Sequence, residues 1–172
     1  MIPEPPPKVD SKAAMAAFNR HQVEYVVIGG ISAIAHGSAM LTKDTDFCYR
    51  RTKANIARMV EALSALHAQP RNFEAALPFS LDVATIWNGD TFTFMTDAGN
   101  LDCLGVPAAT AGYSDLLKNA TLMDFGDGVT AHVCSIDDLI RMKTAAGRPK
   151  DLYAVENLKA LKQVISEERY RE

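Results

Sequence analysis

The 172-residue sequence lacks a long hydrophobic run. Its longest apolar stretch, Tyr25 to Ala35, is broken by two glycines and falls far short of the roughly 20 residues a membrane-spanning helix needs. No basic segment leads into an apolar one near the proline-rich start, so no secretory signal and a cytoplasmic location are expected. Cysteine is scarce and odd in number: Cys48, Cys103 and Cys134 are widely spaced, which excludes a disulfide framework. They are expected to be reduced, buried thiols. The alternative, a zinc site shared with His36 or His132, has no paired short ligand spacing behind it. An excess of positive charge is also missing. Eighteen Lys and Arg face 21 Asp and Glu, a net charge of −3, so there is no overall basic field for nucleic acid. What remains are two local clusters, Arg50–Arg51–Lys53 and Arg141–Lys143–Arg148–Lys150.

What is present is the composition of a soluble globular chain, 48% hydrophobic and 23% charged. The length is that of one domain large enough to form a core unaided. Residues 1–8, with four prolines, read as a flexible arm. Residues 9–134 read as an α/β core, a small mixed sheet flanked by helices. Residues 135–172 read as C-terminal helices closing over it. Asp10 or Ser11 caps a first helix to about Arg20. Glu24 to Ile28 is a buried strand ended by Gly29-Gly30, followed by a short helix that Gly37 stops. Thr42 to Tyr49 is a second strand, and Lys53 to Leu66 carries apolar residues at helical spacing. Thr91 to Met95 and Leu101 to Leu104 are strands joined by a tight turn. Tyr113 to Ala120 is a short helix capped near Ser114. Gly126-Asp127-Gly128 joins a hairpin. Ser135 caps a helix that ends at Gly147, and Pro149 opens the last one.

The informative stretch is YVVIGGISAIAHGSAMLTKDTDF, Tyr25 to Phe47. It reads strand, Gly-Gly, thirteen residues, then Asp-Thr-Asp on a second strand. Residues two apart on a strand share a face, so Asp44 and Asp46 point together. Paired carboxylates repel unless a cation lies between them, and Mg²⁺ favours such oxygen donors together with substrate phosphates. Gly29 and Gly30 at a strand end let phosphate oxygens approach the backbone.

This pattern resembles the signature of the polymerase-β-like nucleotidyltransferase superfamily. Within it, the AbiEii-type toxin nucleotidyltransferases and their relatives often carry GG…HG…RxTxDxDF. Here Gly29, Gly30, His36, Gly37, Thr42, Asp44, Asp46 and Phe47 match, and Met40 departs where relatives carry Arg. The resemblance calls for a third carboxylate on a neighbouring strand. Asp102 fits, with Asp97 and Asp82 as competitors. It also extends to SIDDLIRMKTAAGRPKDL, where Lys143, Arg148, Lys150 and Asp151 match.

The resemblance implies a nucleotidyltransferase fold and transfer of a nucleoside monophosphate from a nucleoside triphosphate to an acceptor hydroxyl. Asp44, Asp46 and Asp102 would be catalytic and hold Mg²⁺ or Mn²⁺. Gly29, Gly30, Thr42, Lys143, Arg148, Lys150 and Asp151 would bind the nucleotide. The acceptor would be an RNA end or a protein, with an antitoxin as partner in the toxin case. A small-molecule acceptor and a nucleotide-binding pseudoenzyme are the alternatives. Arg50, Arg51 and Lys53, following the DxD strand, are expected to rim the site and favour a macromolecular acceptor.

Overall fold

The computed structural model describes residues 2, 8–71 and 78–171. Apart from Ile2 and Lys8, the expected proline-rich arm lies outside them. The chain runs α1 (Ser11–Arg20), β1 (Tyr25–Ile28), α2 (Gly29–Ala35), β2 (Asp44–Tyr49), α3 (Lys53–Ala65), β3 (Gln69–Pro70) and α4 (Val83–Asn88). It continues β4 (Thr91–Thr96), β5 (Gly99–Leu104), α5 (Tyr113–Leu117), β6 (Thr121–Asp124), β7 (Thr130–Val133), α6 (Ile136–Ala146) and α7 (Pro149–Arg169). The strands form one mixed sheet in the order β3-β4-β5-β2-β1-β7-β6. β2 runs parallel to β5 and β1 to β7, and the other pairs are antiparallel.

The period-two alternation of the strands sorts the residues into two layers. Tyr25, Val27, Phe47, Tyr49, Leu101, Cys103 and Phe94 turn to one face, where α1 and α3 cover them with Met15, Phe18, Ile56, Met59 and Leu63. Phe18, Tyr25 and Phe47 meet there with ring centroids 4.5–5.3 Å apart. Val26, Ile28, Cys48 and Cys134 turn to the other face, beneath Leu116 of α5, Leu139 and Met142 of α6 and Leu158 of α7. This second layer does not cover the whole face. It leaves the start of β2 and the middle of β5 open, and there the alternation exposes acids.

Local chemistry sets the helix ends. The Asp10 side chain accepts from the Ala13 N–H at 3.0 Å, and the Ser135 hydroxyl accepts from the Asp138 N–H at 3.1 Å. Gly147 ends α6 in the left-handed region at φ +66, and Pro149 begins α7 two residues later. Two readings need correction. α2 starts at Gly29 itself, and α5 is preceded by Gly112 without a side-chain cap. Pro70, shortly after α3, belongs to the two-residue edge strand β3, a place where a missing N–H is tolerated. α4 was not legible as an element; its cap is Asp82, which accepts from the Thr85 N–H at 2.8 Å. No helix among the described residues is long and apolar enough to cross a membrane.

Candidate active site

The parallel pairing of β2 and β5 sets Asp46 directly beside Asp102 and Asp44 beside Asn100. Because one face of each strand is buried in the α1/α3 core, Asp44, Asp46 and Asp102 are forced onto the opposite face together. Asp102 thus joins Asp44 and Asp46 as a third carboxylate on the same face. The two competitors are spent elsewhere: Asp82 caps α4, and Asp97 pairs with the ring of His67. Neither lines the cleft described below.

The strand-to-helix junction is shaped around these acids. Gly29 holds φ +66, and a Cβ on it would overlap the Asp46 carboxylate. A Cβ on Gly30 would stand 2.7 Å from the Thr42 side chain. The Gly-Gly pair thus makes room for two side chains of the motif's other end. His36 pins the far end of α2, its Nε2 lying 2.8 Å from the Cys134 carbonyl oxygen.

Electrostatically the trio is under stress. Burial, then the charges of Asp102 and Asp44, push the Asp46 carboxyl up to about 7, while Lys143 works against this. Asp102 is also raised, by burial first, with Arg71 opposing. Arg71 is the internal counter-ion. Its guanidinium donates to Asp102 Oδ1 at 2.7 Å and lies 3.5 Å from Asp44 Oδ1. Sequence reading missed it. Its place depends on β3 pairing with β4, where the Arg71 N–H donates to the Thr93 carbonyl at 2.8 Å. The one available signal was a lone cation just after a Pro.

Facing the acids, α6 and the start of α7 carry the cations. Asp151, 1% exposed, accepts from Arg148 Nε at 2.6 Å and lies 3.6 Å from Lys143 Nζ. It also accepts from the Arg148 backbone N–H at 3.2 Å, closing the first turn of α7. Arg148 holds the Asp151 carboxyl below the usual carboxylate range. All ten residues expected from sequence line one cleft of about 340 Å³: Gly29, Gly30, Thr42, Asp44, Asp46, Asp102, Lys143, Arg148, Lys150 and Asp151. Ser38 and Asn157, not anticipated, line it as well, and so does Met40.

The basic rim expected from Arg50, Arg51 and Lys53 is not there. β2 starts at Asp44 and runs away from the cleft, at roughly 3.4 Å per residue. Arg50 ends up beside the first residues of β1, paired with Glu24 at 2.9 Å. The Arg51 guanidinium donates to the Trp87 carbonyl at 2.7 Å, and Lys53 lies over the Trp87 ring. The cysteines do not converge on a zinc site either. Cys103 lies in the α1/α3 core, Cys48 and Cys134 in the opposite one, all buried with thiols raised by burial.

No group of three or more His, Cys, Asp or Glu among the described residues is arranged to hold a metal as it stands, and Arg71 accompanies the aspartates. The donor set nonetheless fits a hard divalent cation. Three carboxylates share one face of two adjacent strands, the charge of Asp44 raises both Asp46 and Asp102, and a cation is already drawn to two of the three.

No protein-family profile and no curated protein matches the sequence. Solved structures do match the fold. The lincomycin-bound lincosamide antibiotic adenylyltransferase LnuA is 14% identical, with a TM-score of 0.60 over 90% of this chain and 99% of that one. The antibiotic-resistance factor ANT(2'')-Ia, in complex with adenylyl-2''-tobramycin, is 14% identical, with a TM-score of 0.55 over 91% and 88%. A Thermotoga maritima protein classed as a nucleotidyltransferase is 15% identical, with a TM-score of 0.52 over 90% and 89%. At such identities the likeness establishes the fold, which is the nucleotidyltransferase fold.

Proposed function

We propose that the chain is a metal-dependent nucleotidyltransferase. The observation that carries this is the meeting of Asp44, Asp46 and Asp102 at one wall of a cleft whose other wall presents Lys143, Arg148 and Lys150. A triphosphate requires both: acids to hold its metal and cations to offset the charge that the metal leaves. The likeness to nucleotidyltransferase structures supports the reading through the fold.

In this reading the chain's residues divide the work. Lys143, Arg148 and Lys150 receive the phosphates. Asp151 is a positioning residue, since its buried carboxylate holds Lys143 and Arg148 toward the cleft. Gly29 and Gly30 keep the floor low enough for phosphate beside Asp46 and Thr42. The acceptor oxygen forms a bond to the α-phosphorus, the bond to the bridging oxygen breaks, and pyrophosphate leaves. The acceptor's proton passes to Asp102, directly or through water. Mg²⁺ or Mn²⁺, held by Asp44, Asp46 and Asp102, would neutralise phosphate charge and acidify the acceptor hydroxyl.

The AbiEii-like toxin reading, with an RNA or protein acceptor and an antitoxin partner, rests on the motif resemblance. Its physical support was the basic rim, and Arg50 and Arg51 lie at the other end of β2. The experiment that tests nucleotidyl transfer is incubation with each α-labelled NTP, Mg²⁺ or Mn²⁺, and a cell extract. Metal-dependent pyrophosphate release with label on an acceptor is expected. Release from none of the four NTPs would overturn the reading.

A further inference from the structure

We propose that a second cleft, on the far side of Asp102, is the acceptor site, and that it takes a compact, uncharged molecule bearing a hydroxyl on an apolar body. This rests on the nucleotidyl-transfer reading above.

The second cleft, about 250 Å³, shares Gly29, Asp46, Asp102, Leu139, Lys143, Arg148 and Asp151 with the first. Beyond those residues the two diverge. The first continues past Thr42, Ser38 and Asn157. The second continues past Leu104, Pro107, Met142 and Ala146. Phosphoryl transfer needs attacking and leaving oxygens roughly in line through phosphorus. A triphosphate lying in the first cleft therefore leaves the second to the attacking group. Asp102 borders both, so the group that takes the proton faces the arriving hydroxyl.

The lining states what kind of molecule carries that hydroxyl. The residues that belong to the second cleft and not to the first are apolar, with Thr91 as the one exception among the described residues. Every charged group bordering it is shared with the nucleotide cleft, and Lys143 and Arg148 are already held by Asp151. An RNA end would need free cations along its phosphates. A polycationic acceptor would need acids of its own, and the second cleft adds none to Asp46, Asp102 and Asp151. The volume sits just below the low end of small-molecule sites, which run to roughly 300–1,000 Å³. An apolar body with a hydroxyl near Asp102 and Thr91 matches this wall.

The test uses n-octyl-β-D-glucoside, below its micelle concentration, as the uncharged acceptor probe. Tobramycin and bulk tRNA serve as the polycationic and polyanionic ones. Ala146 and Ala108 line the cleft and are exposed, so Ala146→Trp and Ala108→Trp fill it without entering a core. Saturation-transfer NMR of the metal-free protein should show contact with the glucoside. Each Trp variant should weaken that contact about tenfold. With labelled NTP and Mg²⁺, label should reach the glucoside in preference to tobramycin and tRNA. Glucoside contact untouched by both Trp variants would overturn the proposal. Label reaching tRNA or tobramycin preferentially would overturn it too, while leaving nucleotidyl transfer standing. Absence of pyrophosphate release from every NTP would remove both.

Discussion

Gly29 and Asp46 compete for one volume: a methyl group on Gly29 would stand inside the Asp46 carboxylate. The glycine is thus required by an acid seventeen residues further along the chain, and the two halves of the motif are one packing unit. Gly29 also holds φ +66, a conformation that side chains resist.

Gly29→Ala should therefore damage function and stability together. The left-handed backbone alone costs about 1–3 kcal/mol in a residue with a side chain. The displaced Asp46 should take pyrophosphate release with it. Thermal unfolding and a release assay check this. A variant with wild-type unfolding and wild-type turnover would show that the Cβ is accommodated without moving Asp46.

Asp46 gives a pH dependence with a definite sign. Its carboxyl is raised from 3.8 to about 7 by burial and by the charges of Asp102 and Asp44. A folded pKa above the unfolded one contributes stability below the unfolded value and loses it as pH rises through the folded one. Metal-free protein should thus lose stability between about pH 4 and about pH 7 on this account. Asp46→Asn should melt higher than wild type at pH 8, with the difference vanishing toward pH 4. Mg²⁺ should raise the melting temperature of the wild type at pH 8 and that of Asp46→Asn much less. A wild type whose stability is flat over this window would contradict the assigned repulsion.

Arg71 relieves the same repulsion from outside the motif. Arg71 and Asp102 are 18% and 17% exposed, so their 2.7 Å hydrogen bond is largely shielded from water. Arg71→Ala should cost about 1.5–3 kcal/mol in the metal-free protein. The loss should be larger at pH 8 than at pH 5, and Mg²⁺ should recover part of it. Chemical denaturation at the two pH values measures this, and equal losses at both would remove Arg71 as the counter-ion.

How legible these groups were in sequence depended on the range of the interaction that places them. Local chemistry marked the Asp10 and Ser135 caps and the Gly147–Pro149 break. Strand alternation put Asp44 and Asp46 on one face and Asp102 on the matching face of its own strand. Arg71 was invisible because a two-residue edge strand has no periodicity, and its position comes from pairing with β4. Arg50 and Arg51 were misplaced by sequence proximity. They follow the DxD strand, but the acids sit at that strand's start, so each added residue leads away from the cleft. Asp82 and Asp97 could be set aside only once α4 and the His67 contact were seen.

Lys143 should act on nucleotide binding. It lies 3.6 Å from Asp151 and lines the cleft opposite the acids. Lys143→Ala should weaken a non-hydrolysable triphosphate by about tenfold, near 1.4 kcal/mol, and raise KM more than it lowers kcat. Asp151→Asn should produce the same direction by releasing Lys143 and Arg148. Calorimetry reporting wild-type affinity in both variants would place the triphosphate elsewhere.

The central claim is that Asp44, Asp46 and Asp102 perform nucleotidyl transfer, and the most direct test is pyrophosphate release by the Asp44→Ala, Asp46→Ala double variant. Two like charges on one open strand end stabilise the fold little, so thermal unfolding should remain at or above that of the wild type. Release from every NTP should fall to background with Mg²⁺ and with Mn²⁺. Release persisting at the wild-type rate in a folded double variant would contradict the assignment.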